Sequence, residues 1–175
     1  MHGPDIIQSK NKNVMKIVHN ESITILAPAQ KCWDTLGNDF GQISHWASSI
    51  GSSSAVKAMD GATSGRTCMT PYGEITEEVT SWDDTSHAYE YKMTGLPPMF
   101  KRGSNRWSIE ELSASSCKVT MQTFIEMKAI PGALLGWMLK PRMIKNLTEM
   151  LEELQYYVEK DELHPRKIKA KKKSA

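Results

Sequence analysis

The chain has 175 residues, enough for one domain with a sizeable core. Hydrophobic content of 39% and charged content of 24% are ordinary for a globular protein, and no run approaches the roughly 20 apolar residues that span a bilayer. Three scattered cysteines (Cys32, Cys68, Cys117) form neither a disulfide framework nor a zinc pattern. The net charge of +2 hides a divide: residues 164–175 hold six of the 22 Lys and Arg and no acid, leaving 16 basic against 20 acidic residues in the rest.

In chain order, residues 1–13 are polar, lack a signal-peptide core and are expected to be disordered, which makes the cytoplasm the expected location. Met15 to Leu26 alternates like a strand, and Pro28, which has no N–H for a ladder, ends it. Cys32, Trp33 and Leu36 then share a helical face; Gly37-Asn38-Asp39 stops that helix, and Phe40, Ile43 and Trp46 mark a second short one. From residue 55 the period becomes two. Strands are expected at Ala55–Met59, Gly65–Thr70, Glu74–Trp82, His87–Thr94, Gly103–Leu112 and Cys117–Lys128, with turn chemistry in each gap. Such short gaps imply an antiparallel meander. Met143, Leu147, Met150, Leu154 and Tyr157 recur at spacings of four and three. They predict a long amphipathic helix, which Pro141 either kinks or begins. Residues 161–175 read as a basic disordered tail, either a solubilising end or a contact for an anionic membrane surface, with no specific nucleic acid expected.

An antiparallel sheet must cover its apolar face, and the last helix is the only large apolar partner. The order of elements resembles the helix-grip fold of START domains, pollen allergens and polyketide cyclases, the SRPBCC superfamily. The residues that carry the resemblance are Ala27-Pro28 with Trp33, Phe40-Gly41 with Trp46, Gly65-Arg66, "GEITEEVTSWDD", "YEYKMTG" and the terminal helix. The resemblance implies an α+β domain over residues 14–160. About seven curved antiparallel strands would wrap a long C-terminal helix, with two short helices after the first strand. It also implies an internal cavity between sheet and helix for a small hydrophobic ligand, a lipid or a polyketide. The alternative it carries is a cyclase or dehydrase working in the same cavity through Glu77, Arg66 and Tyr91. No cofactor or metal is implied.

Alternation selects the inward residues. Ile75, Glu77 and Val79 share one face; His87, Tyr89, Tyr91 and Met93 another; Asn105, Trp107 and Ile109 a third; Val119, Met121, Thr123, Ile125 and Met127 a fourth. A turn closed by Thr70 and Gly73 would set Arg66 opposite Glu77. That pair is either structural or a polar anchor for a ligand, and Glu77, Arg66 and His87 are the catalytic candidates. The expected ligand contacts are Arg66, Cys68, Glu77, Tyr89, Tyr91, Met93, Trp107, Met121 and Ile125 from the sheet, and Met143, Leu147 and Met150 from the helix. The loop "TGLPPMFKRGSN" is either a gate over the cavity or an ordinary surface loop, and Trp46 is expected to plug one end beside an exposed His45. Recognised nucleophile, nucleotide and zinc-hydrolase motifs are missing from the sequence.

Overall fold

The structure, a computed structural model, describes the backbone of residues 14–128 and 134–174, with the side chains of 134–139 outside it. The expectation for residues 1–13 also lies outside the described residues. Seven strands form one antiparallel sheet: β1 (Val14–Ile25), β2 (Ser53–Lys57), β3 (Thr63–Thr70), β4 (Gly73–Asp83), β5 (Ala88–Thr94), β6 (Phe100–Ser113) and β7 (Ser116–Lys128). Their spatial order is β1-β7-β6-β5-β4-β3-β2, so the first two strands occupy opposite edges. Between them run helix α1 (Ala29–Trp33), a π-turn over Asp34–Asn38, a 3₁₀ turn over Phe40–Gln42, and helix α2 (Ile43–Trp46). The chain leaves β1 at Pro28 because it has to cross to the far edge, and these short pieces cover the sheet on the way. Their buried faces carry Cys32, Trp33, Leu36, Phe40, Ile43 and Trp46.

Helix α3 (Leu134–Lys160) is continuous, with Pro141 inside it. Its fully buried stripe is Leu151, Leu154 and Val158, while Leu147, Met150 and Tyr157 are half-buried against the same core. Backbone-directed bonds fasten its end to β1: Gln155 Nε2 donates to the Thr24 carbonyl at 2.9 Å, and the Leu26 amide donates to Glu159 Oε1 at 2.8 Å. This is the helix-grip architecture.

One expectation is corrected. The tail is ordered: after a turn at Asp161, helix α4 (Pro165–Ser174) packs back on the domain. Arg166 Nε donates to Glu153 Oε1 at 2.8 Å, and Lys167, 2% exposed, donates to the carbonyls of Ala47 (3.0 Å) and Ile50 (2.9 Å). Read as a charge run, the segment hides the apolar stem by which a lysine can be buried. Strand β4 is irregular near its end. A bulge between Val79 and Ser81 reverses its alternation, so Trp82 turns inward and stacks on Tyr89 at 5.3 Å.

Candidate ligand-binding site

The turn at Thr70–Gly73 fixes the register on which the site depends. Thr70 pairs with Gly73, and Arg66 therefore pairs with Glu77. Gly65 makes the close approach of these strands possible, because a Cβ there would collide with the Glu77 carbonyl. Both side chains point inward, Arg66 at 2% and Glu77 at 5% exposure, and Arg66 Nε donates an ion-paired hydrogen bond to Glu77 Oε2. Arg66 Nη1 also donates to the Phe40 carbonyl at 2.8 Å, and its guanidinium lies 4.1 Å from the centre of the Phe40 ring. Burial works against the Arg66 charge, yet the Glu77 carboxylate, supported by Tyr91, Tyr89 and Cys68, holds its pKa above the ordinary value. Burial pushes the neighbouring Cys68 thiol up to about 12.

The next inward rung is polar across four strands. Tyr91 pairs with Asn105, Asn105 with Thr123, and Thr123 with His19. All four residues are buried. Asn105 Nδ2 donates to Tyr91 Oη at 2.9 Å, and His19 bonds Glu21 at 2.8 Å. Asn105 Oδ1 and Thr123 Oγ1 have no hydrogen-bond partner among the described residues. Arg66 Nη2, Tyr89 Oη and Trp107 Nε1 make no well-directed hydrogen bond, although Tyr89 lies within reach of Arg66 and Tyr91 within reach of Trp107. Burial raises the pKa of both tyrosine hydroxyls, which keeps them protonated and able to donate. The rung also lies at a break in the apolar interior. On one side is the main core, with Tyr89, Trp107 and Met121; on the other is a small cluster of Ile17, Ile125 and Met127, backed by Met143, Met99 and Phe100.

The expected contacts therefore divide. Arg66, Cys68, Glu77, Tyr89, Tyr91, Trp107 and Met121 lie together on the inward face with Met93 at its margin, whereas Ile125 and Met143 belong to the second cluster. Leu147 and Met150 face the main core. His87 is set apart from this group: it lies before β5 with φ of +47° and stacks on Trp33 at 5.3 Å, so it does not continue the inward face. Asn105, Thr123 and His19 were not among the expected ligand contacts; aligning rungs across consecutive hairpins is the signal that would have found them. Trp46 is buried and His45 exposed, as the plug reading requires. Two open pockets lie elsewhere. One of about 240 Å³ is lined by Thr35, Asp39, Gln42, His45, Trp46 and Tyr157, and one of about 280 Å³ includes Glu90, Arg106 and Gln122 on the other side of the sheet. No group of metal-binding side chains occurs among the described residues, and no described helix is long and apolar enough to cross a membrane.

A sheet that grips a long C-terminal helix, with short helices after the first strand, is a fold shared with solved structures of low sequence identity. The chain belongs to the polyketide cyclase/dehydrase and lipid transport family, whose model matches residues 16–159. Solved structures of the same fold include three from bacteria. XoxI from Bacillus cereus has a TM-score of 0.66 at 17% identity, covering 84% of this chain and 99% of its own. A START superfamily protein from Mycobacterium smegmatis has a TM-score of 0.60 at 16% identity, covering 77% and 94%. The Zhui aromatase/cyclase from a Streptomyces species has a TM-score of 0.64 at 13% identity, covering 85% and 99%. No curated protein matches the chain in sequence.

Proposed function

We propose that the protein binds a small hydrophobic ligand carrying one or two oxygen functions, held between the sheet and α3 with its polar end at the Tyr91–Asn105–Thr123 rung. The observation that carries this reading is the group of buried polar atoms without partners. A buried, unpaired hydrogen-bonding group costs about 1–3 kcal/mol, and Asn105 Oδ1 and Thr123 Oγ1 are two such atoms on one rung. Arg66, Trp107, Tyr89 and Thr123 offer donors and Asn105 offers an acceptor, a set suited to carbonyl and hydroxyl groups on an otherwise apolar body. The remaining contacts in this reading are apolar or aromatic: Cys68, Met93, Met121, Ile125, Met143, Leu147 and Met150. The loop from Thr94 to Asn105 would admit the ligand.

Binding is favoured over cyclase chemistry at this site by one feature. Glu77 is committed to Arg66 in a buried ion pair, so its carboxylate is occupied rather than free to meet a substrate. His87, the remaining basic candidate, stacks on Trp33 instead.

Native mass spectrometry of the protein purified from its own host should find a non-covalent mass that leaves on denaturation. Thr123→Val, which removes only an unpartnered hydroxyl, should raise the stability of ligand-free protein by about 1 kcal/mol while weakening the recovered ligand about tenfold. An empty protein, or a Thr123→Val variant less stable than wild type, would overturn the reading.

A further inference from the structure

The matched family region ends at residue 159, so α4 is an addition to the grip. Its two halves do different work. The inner side is spent on docking. Lys167 is buried on the carbonyls of Ala47 and Ile50, and Arg166 is divided between Glu152, Glu153 and the Glu149 carbonyl. At 100° per residue the opposite side carries Ile168, Lys169 and Lys172, with Lys171 at its margin and Lys173 beyond Arg166 at the helix end. All five are exposed, Ile168 at 43%, and none of the four lysines makes an ion pair among the described residues. The helix holds no acid. Three ammonium groups, those of Lys169, Lys171 and Lys172, thus flank one exposed branched aliphatic side chain, on a helix fixed by buried contacts. The Ile50 carbonyl that receives Lys167 adjoins Gly51, whose amide donates to the Met69 carbonyl at 2.8 Å.

We infer that α4 is a docking surface for an anionic lipid bilayer. The lysines would meet headgroup phosphates and carboxylates, and Ile168 would enter the boundary between headgroups and acyl chains. Nucleic acid fits less well. The one arginine is tied to carboxylates, no aromatic side chain on α4 could stack on a base, and an exposed isoleucine gains nothing from a phosphate backbone. The inference goes beyond the ligand reading and stands independently of it.

The test is co-sedimentation of the full chain with phosphatidylcholine vesicles, with and without phosphatidylserine. Binding is expected only with phosphatidylserine and should weaken as salt rises. Lys169→Gln with Lys172→Gln should weaken it roughly thirtyfold, at about fivefold per lysine. Ile168→Ser should weaken it with all charges kept. Both variants alter exposed side chains, so unchanged melting temperatures should accompany them. Absence of phosphatidylserine-dependent binding, or binding indifferent to Ile168→Ser, would overturn the inference. So would tighter binding to a DNA duplex than to the vesicles.

Discussion

Arg66 is held by a carboxylate, a backbone carbonyl and a ring face, and still has one nitrogen unpartnered. Glu77→Gln leaves that guanidinium charged and underpaired. The expected loss is about 3–5 kcal/mol, reduced by whatever water reaches it. Adding Arg66→Met should restore much of the loss, and urea denaturation of the four proteins of the cycle gives the coupling. Additive losses would contradict the pairing. The buried thiol beside this pair is one of three that weaken the fold in alkali. Cys68 has an ordinary pKa of 9.0 and reaches about 12 when folded, because burial, with Glu77 adding to it, disfavours the thiolate. Above pH 9 the unfolded chain releases this proton while the folded one keeps it. The unfolded state then binds fewer protons, and stability falls with rising pH, by about 1.4 kcal/mol per pH unit for such a group. Urea titrations from pH 8 to 10 should show the fall beginning near 9, and Cys68→Ala should remove one group's share of the slope. The Arg66–Glu77 contact was legible in the sequence because turn chemistry at Thr70–Gly73 sets the register. Trp82 and His87 were not: a bulge and a positive φ each break the alternation that sequence reading relies on, and neither leaves a glycine or proline as a sign.

The elements themselves were easier to read than the way they meet. All seven strands lie within a few residues of their expected bounds, because a period of two between turn residues admits few alternatives. Helix α4 was missed, since six cations among twelve residues look solvated, and only tertiary contacts reveal that Lys167 and Arg166 are anchors. Its removal has a cost that a loose tail would not. Glu153, 1% exposed, would keep its bonds from the Ser48 amide (2.7 Å) and hydroxyl (2.6 Å) but lose Arg166, and two carbonyls would lose Lys167. Truncation after Lys160 should therefore destabilise the protein by about 2–3 kcal/mol in urea denaturation. An unchanged midpoint would show that α4 contributes nothing to the fold.

Across the whole molecule, charge and burial are arranged by layer. Apolar and aromatic side chains fill the grip, a polar rung divides them, and free lysines gather on the one helix added beyond the family region. The placement of β1 and β2 at opposite edges has a consequence in time. As the chain is made, β2 through β7 can zip by successive hairpins, each closing a short loop. β1, synthesised first, has to wait for β7, synthesised last among the strands, since Val14 pairs with Lys128. Until then its twelve residues present an open ladder, one that a neighbouring chain could occupy as readily as its own β7. The step that completes the sheet is thus the least local one in the fold, and the nascent protein is most exposed to mispairing just before it.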